Sequence, residues 1–352
     1  MWSEIFIGYG VFILEVITLL LIVAAVVTTV ISIKQKKHTQ QGELVITDLS
    51  QTLEETGKAL REFHFTDDEL KAAEKAEKKA EKMKAKALKA QRKKGEATPE
   101  EQKPTLYVLN FKGDVAASQT TALREEISAI IQTAKPNDEV LLCLESPGGM
   151  VHGYGLAASQ LARLKQHDIK LTVAVDKVAA SGGYMMACVA DKIVSAPFAI
   201  IGSIGVVAQV PNVHRLLKKH DVDVDVMTAG EYKRTVTILG ENTEKGKQKF
   251  QQELDETHQL FKQFVAQYRP HLDVDRVATG EHWFGQQALQ LKLVDDIMTS
   301  DDLLLQAIKE KHVVALHYAV KKPFLQILGK QAEESAGNLL LNLIKNNKHT
   351  FM

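Results

Sequence analysis

One serine lies in a run whose other residues are apolar, aromatic or glycine. Ser181 follows Val178-Ala179-Ala180 and comes directly before Gly182 and Gly183. A glycine after a serine lets the backbone turn sharply and brings its N–H close to a bound carbonyl. The apolar residues that follow predict a buried helix whose N-terminus would favour an oxyanion there. Two interpretations are open: Ser181 is a nucleophile, or it caps a helix after a tight strand-to-helix turn.

A second glycine pair could supply further donors to an oxyanion. Ser146-Pro147-Gly148-Gly149 ends an apolar run, and without a Cβ the two glycines let their N–H groups approach a ligand closely. Ser146 is a poor candidate for the nucleophile, because Pro147 restricts its backbone and no glycine-flanked helix start follows it. Taken alone, the motif fits an ordinary turn equally well.

A nucleophilic serine needs a base. His152 and His214 lie in the same region, but nothing around them in the sequence marks either one as that base. Lys233 is the alternative, and it can accept a proton only when it is neutral. Lowering its pKa from ~10.4 to ~7 costs about 4.6 kcal/mol, which burial can impose. A solvent-exposed Lys233 would have no such role, and the residues alone do not decide.

The segments around these candidates alternate between two hydrophobic patterns. Apolar runs predict strands at 106–109, 140–144 and 171–175. Periodically spaced apolar residues predict helices at 120–134, 155–166 and 244–269. Strands that alternate with helices indicate βαβ units, and a continuous apolar strand indicates a sheet covered on both faces. The sequence therefore predicts an α/β domain with a parallel sheet.

The first third of the chain has a different composition. Between residues 8 and 33 the only charged residue is Glu15, and the run is long enough to cross a bilayer core of roughly 30 Å. A cleaved signal peptide would have a basic start and a shorter apolar region. The pattern predicts an uncleaved transmembrane helix over 8–33, preceded by a short segment, 1–7. Three lysines follow directly, so the positive-inside rule places the later residues in the cytoplasm.

Residues 34–104 are predicted to be a basic helical spacer that ends in a hinge. From residue 71 to 94 there are eleven Lys or Arg against three Glu, with no apolar stripe of useful width. This composition favours a solvated helix, and contact with anionic lipid headgroups is the alternative. Residues 301–352, which include amphipathic stretches, are predicted to be a tail that contacts a neighbouring subunit or the membrane surface.

The bulk composition excludes some classes of protein. Lys plus Arg and Asp plus Glu both number 44, so the net charge indicates no nucleic-acid partner. Cys143 and Cys188 lie in apolar runs and are predicted to be small buried hydrophobes rather than disulfide or metal sites. No metal and no cofactor is expected.

The order of the motifs resembles a known family. Ser-Pro-Gly-Gly, Ala-Ser-Gly-Gly-Tyr, Ile-Gly-Ser-Ile-Gly-Val (201–206) and Gly-Glu-Tyr-Lys (230–233) are similar to motifs of the signal peptide peptidase A family of serine peptidases. The likeness covers about residues 105–300. The long anchored N-terminal region resembles that of a branch found in the bacterial inner membrane. The side of the membrane stays open, because relatives can work in the periplasm.

The resemblance implies a fold and a set of roles. The fold would be like that of the Clp protease and crotonase, built from repeated ββα units. Ser181 matches the family nucleophile, Lys233 the general base, and Ser203 a serine that orients the lysine amine. Backbone N–H groups at Gly149 and Gly182 would form the oxyanion hole. Substrates would be hydrophobic peptides or membrane proteins, and a homo-oligomeric ring would let a neighbour's lysine complete each site.

Two other functions stay open at this point. A crotonase-type acyl-CoA enzyme would also use backbone N–H groups for an oxyanion, but with carboxylates in place of serine and lysine. A non-catalytic, membrane-tethered ring scaffold would need only the anchor, the basic spacer and the assembly.

Overall fold

The structure is a computed structural model. It describes residues 42–66 and 103–319, together with residues 17, 18, 20, 21, 68–73, 75, 76, 78, 79, 82, 83 and 86. All but four positions of the predicted transmembrane helix therefore lie outside the described residues. The end of the predicted tail, from residue 320, also lies outside them. Within the described part of the chain, no helix is both long enough and apolar enough to span a membrane.

The chain divides into two compact units. The smaller comprises residues 1–44 and 318–352, where the Gly42 N–H donates to the Tyr318 hydroxyl over 2.8 Å. The larger comprises residues 45–317 and contains every candidate site residue.

The described helices and strands follow one another in an α/β order. They are β1 (Glu43–Asp48), α1 (Leu49–Glu62), β2 (Thr105–Lys112), α2 (Thr120–Thr133), β3 (Glu139–Glu145), α3 (Val151–Gln166), β4 (Lys170–Val175), β5 (Val178–Ala180), α4 (Gly182–Ala187), β6 (Lys192–Ser195), β7 (Ile200–Gly202), α5 (His214–Lys219), α6 (Glu244–Tyr268), α7 (Val274–Val277), β8 (His282–Phe284), α8 (Gly285–Gln290), β9 (Asp296–Ile297), α9 (Ser300–Glu310) and β10 (His312–Ala319).

Seven of the strands form one sheet, in the order β1-β10-β2-β3-β4-β6-β9. All registered pairs from β10 to β9 are parallel, with Val108 opposite Leu141 and Leu141 opposite Thr172. Helix α2 contacts β2, and α3 contacts β4 and α4. Side chains of α9 pack against a core cluster that includes Leu106 and Val313. The central strands are apolar on both sides because helices pack on both faces of the sheet.

The predicted α/β class is confirmed, and so are the three strands and three helices predicted between residues 106 and 269. Strand β2 is longer than predicted, and α3 begins at Val151 instead of residue 155. The first turn of α3 contains Gly153, which weakens a helical pattern in the sequence. In the structure the Gly153 Cα lies against the Ala116 carbonyl, since a Cβ there would come within 2.8 Å of that oxygen. Gly153 thus allows a close approach inside a helix.

Two segments that the sequence analysis set apart from the domain contribute to its fold. In the predicted spacer, α1 follows β1, and the Ser50 hydroxyl accepts a 2.8 Å hydrogen bond from the Val313 N–H. In the predicted tail, β10 adds a strand next to β2, with His312 opposite Thr105. The globular fold thus extends beyond the predicted limits of 105 and 300.

A second, three-stranded sheet positions the candidate site. Its order is β5-β7-β8, with β5 parallel to β7 and Ala180 opposite Gly202. Ser146, directly after β3, pairs with Ala179 of β5 and so joins the two sheets. The Ser-Pro-Gly-Gly loop and the strand that leads to Ser181 are therefore neighbours.

Candidate active site

Ser181 lies at a sharp turn between β5 and α4. Its φ is +52° and its ψ is −119°, a backbone conformation that few residues other than glycine adopt. Such a conformation costs about 1–3 kcal/mol and persists only where the surrounding structure imposes it. Here the Ser181 N–H donates to the Gly202 carbonyl over 2.8 Å, and the Ser181 carbonyl accepts from the Met185 N–H over 3.0 Å.

The two interpretations of Ser181 can now be compared. Ser181 occupies the N-cap position of α4, but its side chain makes no capping hydrogen bond to the helix. Every residue of α4 from Gly182 to Ala187 is buried, whereas Ser181 is half-buried. The geometry is that of a strand–turn–helix that presents a hydroxyl at its tip, as a nucleophile requires.

The Gly148–Gly149 loop lies directly against this turn. Gly148 has a φ of +90°, and a Cβ on it would come within 2.7 Å of the Ser181 Cβ and 2.8 Å of the Gly182 nitrogen. A Cβ on Gly149 would overlap the carbonyl oxygen of Val115. Only glycine fits at both positions. Within the described part of the chain, neither the Gly149 nor the Gly182 N–H donates to a backbone carbonyl.

A small cavity of about 20 Å³ opens at this point. It is lined by Gly149, Val151, Ser181, Gly182, Met185, Gly205, Val206, Thr257 and Phe261. The volume is close to that of one water molecule. The cavity therefore suits a single polar atom, such as a carbonyl oxygen, in an apolar surround.

Ser203 is brought to the same place by strand register. Because Ala180 lies opposite Gly202 at the ends of the adjacent strands β5 and β7, the residues that follow these strands are Ser181 and Ser203. Ser203 has a φ of +52°, and its N–H donates to the Glu281 carbonyl over 2.7 Å.

Lys233 lies elsewhere in the single chain. It is exposed, it does not line the cavity at Ser181, and its N–H closes a turn with the Gly230 carbonyl at 3.2 Å. The segment from 203 to 243, here called the lysine arm, has one short helix, α5, as its regular structure. The structure of one chain thus brings Ser181, Ser203 and the two glycines together, but not Lys233.

The lysine arm also exposes many apolar side chains. Its exposed large apolar side chains are Val207, Val210, Leu216, Val222, Val226, Met227, Tyr232, Ile238 and Leu239. Met227 is 89% exposed and Val207 is 82% exposed. Exposed apolar side chains that form one patch mark an interaction site.

The histidines that the sequence analysis considered show no link to Ser181. His152 is exposed at the start of α3 and His214 is half-buried at the start of α5. Neither lines the cavity. Cys143 and Cys188 are unpaired, and burial raises the pKa of Cys143 to about 11, so neither thiol is prepared for nucleophilic chemistry.

A buried ion pair that the sequence did not predict lies next to α4. The Arg269 side chain is 2% exposed and donates two hydrogen bonds to the Asp295 carboxylate, at 2.8 and 2.7 Å. Next to it the Tyr184 hydroxyl of α4 donates to the Leu293 carbonyl over 2.9 Å. An arginine at a helix end, before a proline, normally lies in solvent, so the sequence carried no signal for its burial.

Two family models together match most of the chain. Residues 4–161 match the N-terminal region of peptidase family S49, and residues 163–314 match peptidase family S49. A probable protease SohB of Haemophilus influenzae is 65% identical over all of both chains. The chain belongs to peptidase family S49.

A second relative extends this S49 match. A probable protease SohB of Buchnera aphidicola from Schlechtendalia chinensis is 48% identical over 302 residues, which cover 86% of this chain and 99% of that protein. Among solved structures, the 1510-N membrane-bound stomatin-specific protease, as a lysine-to-alanine mutant in complex with a substrate peptide, is 15% identical with a TM-score of 0.41. The match covers 66% of this S49 chain and 99% of that one. The family relationship expected from the four ordered motifs is confirmed by the family models and the sequence relatives.

Proposed function

We propose that this S49 chain is a membrane-anchored serine endopeptidase in which Ser181 is the nucleophile and Lys233 the general base. The observation that carries the proposal is the arrangement at Ser181. A strained turn presents its hydroxyl beside two backbone N–H groups, at Gly149 and Gly182, that have no backbone acceptor in the described part of the chain. Such preorganised donors stabilise the oxyanion of a tetrahedral intermediate.

The chemical steps follow from these positions. The Ser181 oxygen attacks the peptide carbonyl carbon while the neutral Lys233 amine takes the hydroxyl proton. The oxyanion rests on the Gly149 and Gly182 N–H groups, each worth about 3–4 kcal/mol. The C–N bond then breaks as the lysine gives its proton to the leaving amine. Water hydrolyses the resulting ester with the lysine again as base, and the serine regains its proton.

In this proposal the base comes from a second copy of the chain. Lys233 is exposed in the single chain and lies on an arm with a large apolar surface. Placing that arm against another subunit would bury both the apolar side chains and the lysine, and burial disfavours the charged amine. A homo-oligomeric ring satisfies this requirement for every subunit at once. Ser203, beside Ser181, would then hydrogen-bond the incoming amine.

The proposed fold, substrate and membrane anchor each have separate support. The small sheet with Ser181 at its end supports a fold like that of the Clp protease and crotonase. The apolar lining at Ser181 suits hydrophobic peptides and membrane-associated proteins. Residues 8–33 would anchor the chain in the bacterial inner membrane, with the peptidase in the cytoplasm by the positive-inside rule. A reporter fused after residue 352 tests this orientation.

The decisive experiment uses the full chain in detergent with a hydrophobic peptide substrate. Ser181→Ala and Lys233→Ala should each lower kcat by roughly four to six orders of magnitude. Lys219→Ala, which removes another exposed lysine of the same arm, should leave kcat unchanged. Cleavage retained by the Ser181→Ala protein would end the proposal. A fluorophosphonate probe that fails to label Ser181 would favour the acyl-CoA alternative, and a Ser181→Ala strain with unchanged physiology would favour the scaffold.

A further inference from the structure

A buried chain of hydrogen bonds connects the Ser-Pro-Gly-Gly loop to the start of α3. The Gly148 N–H donates to the Ser146 Oγ over 3.1 Å, the Ser146 hydroxyl donates to the Tyr154 oxygen over 2.7 Å, and the Tyr154 hydroxyl donates to the Asp114 carbonyl over 2.8 Å. Ser146 and Tyr154 are both 0% exposed. Both hydroxyls are therefore shielded from bulk water.

Chemistry fixes the direction of every bond in this chain. The Asp114 carbonyl can only accept, so the phenol proton of Tyr154 points to it. The Ser146 proton must then point to the phenol oxygen, which leaves a Ser146 lone pair for the Gly148 N–H. Burial raises the pKa of Tyr154, so the phenol keeps its proton and the chain keeps its direction.

The same two residues contact the elements that carry the candidate oxyanion donors. The Gly182 Cα lies against the Tyr154 ring, because a Cβ on Gly182 would overlap that ring. The Ser146 carbonyl accepts from the Ala180 N–H over 3.0 Å, one residue before Ser181. Ser146 is thus joined through its backbone to the strand before the nucleophile and through its side chain to the glycine loop.

The loop is held on either side of one free N–H. On one side, the Gly148 N–H is bound to Ser146; on the other, the Met150 N–H donates to the Val115 carbonyl over 2.8 Å. Between them lies Gly149, whose N–H has no backbone acceptor in the described part of the chain. Two adjacent glycines could rotate freely without these bonds.

We infer that Ser146 and Tyr154 are positioning residues that orient the Gly148–Gly149 peptide so that the Gly149 N–H points at the oxyanion. The inference rests on the proposed function, since it concerns the same oxyanion hole. Neither residue touches the substrate. Each acts by keeping the Gly149 N–H in the orientation that stabilises the transition state. The ground state carries less charge on the carbonyl oxygen, so this orientation stabilises it less.

The test separates transition-state stabilisation from substrate binding. In Ser146→Ala, kcat for a hydrophobic peptide should fall about 10- to 100-fold, and KM should change by less than about threefold. A missing oxyanion donor lowers kcat by about 10²- to 10³-fold, and a displaced donor should cause part of that loss. In Tyr154→Phe the ring stays and kcat should fall about 3- to 30-fold. The double variant should resemble Ser146→Ala, since both changes break one chain.

A pair of inhibitors gives a readout that a purely structural role would not move. A peptide aldehyde forms a hemiacetal with Ser181 and places an oxyanion in the hole, whereas the matching peptide alcohol cannot. The aldehyde should lose affinity in both variants by the same factor as kcat, and the alcohol should keep its affinity. The control variants are Tyr107→Phe, which removes the hydroxyl of a half-buried tyrosine outside this chain of hydrogen bonds, and Ser159→Ala on the exposed side of α3.

The outcomes are distinguishable from failure of the proposed function. Unchanged kcat and an unchanged ratio of aldehyde to alcohol affinity in Ser146→Ala and Tyr154→Phe would overturn the inference while Ser181→Ala stayed inactive. If Ser146→Ala fails to fold, Tyr154→Phe decides alone. Cleavage by the Ser181→Ala protein would instead reject the peptidase proposal itself.

Discussion

Ser181 and Ser203 have the same unusual φ, +52°, directly after the adjacent parallel strands β5 and β7. Each is held by a short backbone hydrogen bond, from Ser181 to Gly202 and from Ser203 to Glu281. Two left-handed serines on neighbouring strands are costly for the fold. The pairing supports the roles proposed for their hydroxyls, as the nucleophile and as the partner of its base.

Gly148→Ala should disable the site. The new methyl group would meet the Ser181 Cβ at 2.7 Å and the Gly182 nitrogen at 2.8 Å, at a φ of +90°. We expect kcat to fall about 100-fold or more and stability to fall by about 1–3 kcal/mol. Peptide cleavage and thermal unfolding measure the two effects.

Gly155→Ala is the matched control for this change. A Cβ on Gly155 has open space around it, and the residue lies inside helix α3. The substitution should keep kcat and raise stability by about 0.5–1 kcal/mol. Equal losses of activity in both variants would mean that contact with Ser181 is not the cause.

Two inactive variants should restore activity when they are mixed in one oligomer. A subunit with Ser181→Ala still has Lys233, and a subunit with Lys233→Ala still has Ser181. If the lysine of one copy serves the serine of another, co-expression of the two should give roughly a quarter of the wild-type activity, from random mixing in pairs. The measurement is peptide cleavage by purified co-expressed protein, with each variant alone as the control. No activity in verified mixed oligomers would place both residues in the same chain.

The Arg269–Asp295 pair should make stability depend on pH. Burial acts to raise the pKa of Asp295, but hydrogen bonds from Arg269 and from the Ile193 N–H outweigh it and leave the pKa below its ordinary value. Because the pKa of Asp295 is lower in the folded state than in the unfolded state, the ion pair contributes its full stabilisation above pH ~4. This stabilisation is lost as the pH falls further. Urea unfolding of the wild type and of Asp295→Asn should therefore differ by about 3 kcal/mol at pH 7 and converge toward pH 2–3.

Asp275→Asn is the comparison for this pair. Asp275 also forms an ion pair, with Lys262. The Asp275 side chain is 86% exposed, so solvent screens the interaction. Its removal should leave the urea midpoint almost unchanged at any pH. A pH-independent difference for Asp295→Asn would show that packing, not charge, explains its effect.

Leucines near the chain's C-terminal end test how far the fold extends. Leu316 on β10 is 5% exposed, whereas Leu305 on α9 is 50% exposed. Leu316→Ala should destabilise the protein by about 2–5 kcal/mol, and Leu305→Ala by less than about 1 kcal/mol. Chemical unfolding measures both. Equal, small effects would mean that residues beyond 300 are a dispensable tail.

Much of the fold was predictable because its signals are local. The apolar run 140–144 predicted a buried strand, and the glycines around Ser181 predicted the strand-to-helix turn that the structure contains. The limits of the domain were not predictable in the same way. Strand β10 joins the sheet through pairing with β2, about 200 residues earlier in the chain, and no local pattern encodes a partner at that distance.

Long-range contacts also explain what was missed at the site. Pro147 argues against Ser146 as a nucleophile, and no local pattern in the sequence indicates where the Ser146 hydroxyl points. Only the three-dimensional structure brings Tyr154 and the Gly148 N–H to that hydroxyl. The burial of Arg269 was equally hidden, since its partner Asp295 lies beyond α7 and α8.

The position of Lys233 in open solvent has one more consequence. If this lysine is the base and a neighbouring subunit supplies it, an isolated chain holds a serine without a base, so a newly made single chain should be inactive. Specific activity would then rise with the surface density of the protein and fall reversibly on dilution into excess detergent. Self-association of the chains would then switch the enzyme on.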